Sequence, residues 1–318
     1  MAGSKMTDPM TDHGKGALKI SREARGRVGG DGIELAFGYW PGRGAPVVAL
    51  HGLTATFVNY IGIAERLAGR KPLFALDLRG RGDSDKPAGP YGMAQHGRDV
   101  AAAMRAMGLG PSVVAGHSMG AFVAVALAAQ NPELVCGLIL IDGGYIPAIS
   151  PGTEPQSGLD ELLAARVMQL RETYPSREYY RDFWRAKPHF PPNDWNPWVE
   201  AFLDYELGGE APNLRPKASE AGVRADLAEG FQREEIVARL RSLRVPVMML
   251  RAETGFAPAF PPLFPDSVVG QIRELVPQIE DRKFAGTTHY TLVLGNSGAT
   301  QIADLIVEFA ERCKPSSK

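Results

Sequence analysis

The stretch VVAGHSMGAFVAVALAA, residues 113–129, holds one serine, Ser118, where an apolar strand-like run gives way to an apolar helix-like run. A plain turn at such a seam would bring Asn, Asp or Pro. Instead Gly116 and Gly120 stand two residues either side of the serine. That spacing points to a backbone drawn tight between two buried elements, with no room for side chains at the flanking positions. A serine in a Gly-x-Ser-x-Gly seam is predicted to occupy a strained turn that lifts its Oγ above the sheet edge. The helix that follows would set a positive N-terminal end, equivalent to roughly half a charge, beside it.

Similar units recur on both sides. APVVAL (45–50) is a continuous apolar run ending in His51-Gly52, and LFALDL (73–78) is another, ending in Arg79-Gly80-Arg81-Gly82. VNYIGIAERLAGR between them, and HGRDVAAAMRAMG after Asp83-Ser84-Asp85-Lys86-Pro87, have helical spacing. GLILID (137–142) is the strand that follows the opening stretch. Upstream, REARGRV and IELAFGYW flank GGDG, the pattern of a hairpin. Downstream come a strand at VPVMMLRA (245–252), a helix around SVVGQIRELV, a strand at QIEDRKF and an amphipathic helix at ATQIADLIVEFAER. Parallel neighbours need crossover connections, so this alternation predicts an α/β fold with a mainly parallel sheet and helices on both faces.

The alternation stops between Gly143 and about Arg244, where the helix-like ELLAARVMQLRETY and WVEAFLDYEL are broken by KPHFPPNDWNP. The predicted organisation is a disordered leader (1–20), a core (21–143 and 245–318) and a helical cap (144–244) inserted after the sixth strand. Residues 171–205 carry ten aromatics: Tyr174, Tyr179, Tyr180, Phe183, Trp184, Phe190, Trp195, Trp198, Phe202 and Tyr205. A small helical layer needs such side chains for its own core, and an inner face of them would make an apolar roof over a substrate.

The totals narrow the function. Across 318 residues, 35 Lys and Arg nearly cancel 36 Asp and Glu, so no net field draws in nucleic acid or an anionic membrane. The leader has no apolar core like a signal peptide's, and no apolar run is long enough to span a bilayer, which predicts a cytoplasmic protein. Cys136 and Cys313 give no disulfide framework. No phosphate-binding loop, dinucleotide fingerprint, calcium loop or zinc-spaced His/Cys cluster is present, so neither cofactor nor metal is expected.

With these motifs in their order, residues 21–313 resemble the α/β-hydrolase family. His51-Gly52-Leu53-Thr54 is similar to its oxyanion loop, Gly116-His117-Ser118-Met119-Gly120 to its nucleophile elbow and Gly286-Thr287-Thr288-His289 to its catalytic-histidine loop. DLRGRGDSDKP (77–87) is similar to a loop of the capped members. The resemblance implies an eight-stranded sheet and serine hydrolase chemistry, with Ser118 as nucleophile and His289 as its base. Among the other histidines, His13 lies in the leader, His51 and His117 neighbour the motifs, and His96 and His189 have no supporting pattern.

The acid departs from the family's commonest pattern. In the loop after VPVMMLRA, glycine (Gly255) stands where the carboxylate is expected. Asp142, 24 residues after Ser118, matches the alternative position used by some haloalkane-dehalogenase-like members, and Glu253 is the other candidate. Asp142 is preferred. The oxyanion hole is expected from the backbone N–H groups of Leu53 and Met119. A serine followed by methionine, where the dehalogenases have Asp then Trp, argues against halide displacement. The expected activity is a carboxylesterase acting on a small to medium apolar ester. Lactonase, carbon–carbon bond hydrolase, acyltransferase and a non-catalytic small-molecule binding protein stand as alternatives.

Overall fold

The computed structural model describes residues 23–146, 159–229 and 232–313; the leader assigned to 1–20 and the early part of the expected cap, 147–158, lie outside the described residues. The hairpin at GGDG forms: β1 (Ala24–Gly29) and β2 (Glu34–Trp40) run antiparallel, and Gly30 N–H closes the turn on Ile33 O at 2.8 Å. The four-residue runs β3 (Val47–Leu50) and β4 (Leu73–Leu76) are buried at every position, as strands inside a sheet covered on both faces must be. β5 (Ser112–His117) follows the same rule, as does β6 (Val135–Ile141) apart from the half-buried Cys136.

Helices α1 (Ile61–Leu67), α2 (Met93–Ala106) and α3 (Met119–Gln130) make the crossovers. After β6 the chain leaves the sheet for α4 (Leu159–Gln169), α5 (Arg177–Arg185), α6 (Pro197–Glu206), a short ribbon of β7 (Leu207–Gly208) and β8 (Arg215–Pro216), and α7 (Glu220–Glu229). It returns through α8 (Arg233–Ser242), β9 (Val247–Ala252), α9 (Asp266–Leu275), β10 (Ile279–Phe284), the short α10 (Thr291–Leu294) and α11 (Asn296–Arg312).

The eight strands stand in the order β1-β2-β4-β3-β5-β6-β9-β10. All pairs from β4 to β10 are parallel; β2 is antiparallel to both of its neighbours. Strand alternation divides the core between the two faces. Val47 and Ala49 face a cluster completed by α1 and α11, whereas Val48 and Leu50 face one completed by α2, α3 and α9. Chain winding reverses at β3, which lies between β4 and β5, and open α/β sheets form their sites at the carboxyl ends of strands at such a switch.

The insert between β6 and β9 is built on caps. Ser176 Oγ accepts Tyr179 N–H at 3.0 Å to start α5, and Asn196 Oδ1 accepts Trp198 and Val199 N–H at 2.8 and 3.1 Å to start α6, with Pro197 at its first position. It is fastened to the core by Trp198, which lies over Gly62 of α1 and donates Nε1–H to Glu65 at 2.7 Å, and by Asn196 Nδ2 on Leu294 O at 2.8 Å. α8 falls inside the 144–244 stretch assigned to the cap, but its Ile236 and Leu240 join the sheet cluster with α3. The helical layer of the insert is therefore α4 to α7.

Candidate active site

Ser118 is the residue between β5 and α3, with φ 54° and ψ −121°, a left-handed conformation that favours glycine. The flanking glycines are the reason the turn closes. A Cβ at Gly116 would strike Gly120 O, and one at Gly120 would strike Leu50 O, both far inside van der Waals contact. Ser118 N–H is held by Ile141 O at 2.9 Å, one residue before Asp142. The oxyanion-type loop after β3 passes beside the serine: a Cβ at Gly52 would be 3.1 Å from Ser118 Cβ and 3.6 Å from its Oγ. The Ser118 side chain is half-buried.

Asp142, at the end of β6, also takes a positive φ of 46°, which a short polar side chain tolerates better than a branched one. Its N–H donates to Leu250 O at 2.7 Å and its Oδ1 accepts Ala252 N–H at 3.2 Å, so β9 fixes the carboxylate from the side. Its Oδ2 accepts from His289 Nδ1 at 2.7 Å, with both residues buried. A carboxylate only accepts, so Nδ1 carries the bonded proton, and in the neutral ring Nε2 is the nitrogen with the lone pair.

The imidazole is held on every side. His289 N–H donates to Gly255 O at 2.8 Å, and the rings of His117 and Phe256 each lie 4.6 Å from its own. His117 donates Nε2–H to His289 O at 3.0 Å and accepts Asn59 Nδ2–H at Nδ1, 3.2 Å. Burial first, then the neighbouring His289, hold the His117 imidazole well below its ordinary range, so it stays neutral as both bonds require. His51 is likewise buried: it donates Nδ1–H to Gly52 O at 2.7 Å and accepts Leu78 N–H at 2.9 Å, and burial pushes it down to about 3.

Of the two candidate acids, the structure brings Asp142 to the histidine and leaves Glu253 away from the ring. Glu253 is exposed, and its Oε2 accepts Gly286 N–H at 2.7 Å, bracing the turn that leads to His289. Gly255, at the family's usual acid position, has no room for a side chain because a Cβ there would press on Pro261 O and Phe260. Met119 is the first residue of α3, so its N–H is one of those a helix leaves without an internal partner. Leu53 lies on the other loop, half-buried.

Most insert aromatics form its core: Tyr174, Tyr180, Trp184, Phe190, Trp198 and Phe202 are buried, while Tyr179 is 56% exposed. A subset reaches the site through Tyr290, whose ring lies 5.5 Å from Phe190, 6.2 Å from Trp184 and 5.2 Å from His189. Sequence reasoning missed Phe256 and Tyr290 as site residues; Tyr290 is the chain neighbour of His289, but only folding brings Phe256 to the ring. It also missed Arg166, which donates Nε–H to Thr54 Oγ1 at 2.9 Å, pairs with Glu206 at 2.9 Å and lies 4.7 Å over the Trp184 ring. Among the described residues, no group of three or more His, Cys, Asp or Glu could hold a metal ion, and no helix is long and apolar enough to cross a membrane.

A mainly parallel sheet carrying a strained serine elbow after β5, a carboxylate after the neighbouring β6 and, after β10, the imidazole bound to that carboxylate defines the class: an α/β hydrolase. The chain belongs to that family, whose model for the alpha/beta hydrolase fold matches residues 45–295. It is 31% identical over 214 residues to 2-(acetamidomethylene)succinate hydrolase of Mesorhizobium japonicum, covering 67% of this chain and 72% of that one. It is 28% identical over 260 residues to N-formylmaleamate deformylase of Pseudomonas putida, covering 81% and 86%. In fold it is similar to the crystal structure of E-2-(acetamidomethylene)succinate hydrolase, with a TM-score of 0.73, 24% identity and coverage of 91% of this chain and 100% of that one. The family and these relatives support a hydrolase.

Proposed function

We propose that the protein is a serine hydrolase that cleaves a small carboxylic ester through an acyl-enzyme. Ser118 Oγ attacks the carbonyl carbon while His289 Nε2 takes its proton. Asp142 keeps the imidazole in the required tautomer and supports the imidazolium that forms. The N–H groups of Leu53 and Met119 receive the developing oxyanion. His289 then returns the proton to the leaving alcohol, and water repeats the sequence on the acyl group. The observation that carries this reading is the buried 2.7 Å contact between Asp142 and His289, which leaves Nε2 free to act as base. The aromatic inner face of the insert, acting as a cap, would exclude water and favour apolar acyl or alcohol parts.

A second reading has its own support. The relatives named above are, by name, a hydrolase of an acetamido compound and a deformylase of an N-formyl compound. The same residues would cleave an N-acyl bond, His289 protonating a leaving nitrogen in place of an alcohol oxygen.

Turnover of p-nitrophenyl acetate beside N-formyl and N-acetyl amides, by wild type and Ser118→Ala, tests both. Ser118→Ala is expected to lose ~10⁴ or more in kcat on whichever class is turned over, with its fold unchanged. Hydrolysis of that substrate at the wild-type rate by the variant would refute the assignment. Faster turnover of the N-acyl compounds by the wild type would move the substrate class from esters to amides.

A further inference from the structure

Arg81 belongs to the loop after β4 and is fully buried, yet the proposed chemistry gives it no role. Its guanidinium touches both residues assigned to the oxyanion hole. Nε–H donates to Leu53 O at 2.9 Å, and Nη2 lies 3.9 Å from Met119 Sδ. Its remaining arm donates to Arg79 O at 2.9 Å and pairs with Asp226 Oδ2 at 2.6 Å. Asp226 is on α7 of the insert, also fully buried, and takes His96 Nε2 at 2.9 Å and Gly92 N–H at 2.7 Å from the core. α7 is seated closely there, since a Cβ at Gly222 would collide with Tyr91.

We propose that Arg81 is the positioning residue of the oxyanion hole and that Asp226 holds it in place, so that seating of the insert and assembly of the hole are one event. The inference rests on Leu53 and Met119 supplying the oxyanion donors. Leu53 O shares a planar peptide unit with Thr54 N–H, and only the two backbone dihedrals of Leu53 separate that unit from Leu53 N–H. Hydrogen-bonding that carbonyl to a rigid guanidinium limits how far the Leu53 N–H can swing. A planar fork can reach Leu53, Arg79 and Asp226 together; a lysine ammonium on a flexible stem, though it keeps the charge opposite Asp226, cannot reproduce that geometry.

The test compares Arg81→Lys with wild type and Ser118→Ala, using p-nitrophenyl acetate and two inhibitors. Phenyl trifluoromethyl ketone forms a tetrahedral adduct: Ser118 Oγ bonds to the carbonyl carbon, the carbonyl pair becomes the oxyanion, and the serine proton passes to His289. The matching methyl ketone serves as the ground-state control. Arg81→Lys is expected to lose roughly 10- to 100-fold in kcat and the same factor in trifluoromethyl ketone affinity, with KM and methyl ketone affinity within about 3-fold, because oxyanion donors act on the developing charge. A merely structural role would not separate the two ketones.

Should Arg81→Lys fail to fold, Arg81→Met/Asp226→Asn is read in the same way; it removes both charges of the Arg81–Asp226 pair together and keeps an acceptor for Gly92 N–H. Unchanged kcat and ketone discrimination in the folded variant, with Ser118→Ala inactive, would overturn the positioning role alone. Retained turnover in Ser118→Ala would bring down the underlying reading and the inference with it.

Discussion

Asp142 and Ser118 are two of the three non-glycine residues with positive φ among the described residues, and they sit at the ends of adjacent strands. Strain of this kind persists where the surroundings over-determine it, as the bonds of Asp142 to Leu250 and Ala252 do here. Asp142→Asn is expected to lower kcat by ~10³ to 10⁴, because an amide can present its NH₂ to the ring and favour the wrong tautomer. Glu253→Gln is expected to stay within a few-fold, since an amide oxygen can still accept Gly286 N–H. Steady-state kinetics of the two variants on the same substrate decides the matter; a larger loss in Glu253→Gln would contradict the assignment. Sequence spacing alone could not separate the two carboxylates. What separates them is the pairing of β6 with β9, which sets Asp142 beside Ala252 and under the histidine loop, while Glu253 reaches only Gly286.

At the scale of elements, the loop after β3 depends on a histidine that does no chemistry. His51 has its imidazole at about 3 in the folded chain against 6.5 for the free side chain, and burial is the main cause. Between those values the unfolded chain binds a proton that the folded chain refuses. The folded state therefore keeps its full stability above pH 6.5 and loses it as pH falls, approaching about 1.4 kcal/mol per pH unit from this residue. In urea unfolding between pH 6.5 and 4, His51→Gln should lose stability less steeply than wild type by about that slope; equal slopes would contradict the neutral buried imidazole. The inner strands β3 to β6 were legible because they are apolar on both faces, and the Ser118 seam because glycine is the only residue its neighbours admit. Some boundaries were not. Helical spacing in ELLAARVMQLRETY continues to Tyr174, but α4 ends at Gln169, and Tyr174 instead bonds through both N–H and O to Leu214. That pairing joins residues forty apart and leaves no local trace.

For the whole molecule, the alternation of units carried the parallel sheet, whereas the seating of the insert could not be read. Its polar attachments include single contacts from distant sequence: Trp198 to Glu65, Asn196 to Leu294, Tyr205 OH to Asp77 at 2.8 Å, and Asp226 to Arg81 and His96. Periodicity identifies a helix and its apolar side but gives no sign of which core residue will receive one indole or one carboxylate. The proposed function depends on one atom, Ser118 Oγ, at the strained turn between β5 and α3. The most direct test is covalent labelling with a fluorophosphonate, in which the serine oxygen displaces fluoride from phosphorus, followed by intact mass and peptide mapping against residual activity. A single adduct on Ser118, with activity lost in proportion to labelling, is the predicted result. Labelling at another residue, or full activity in protein labelled at Ser118, would contradict it.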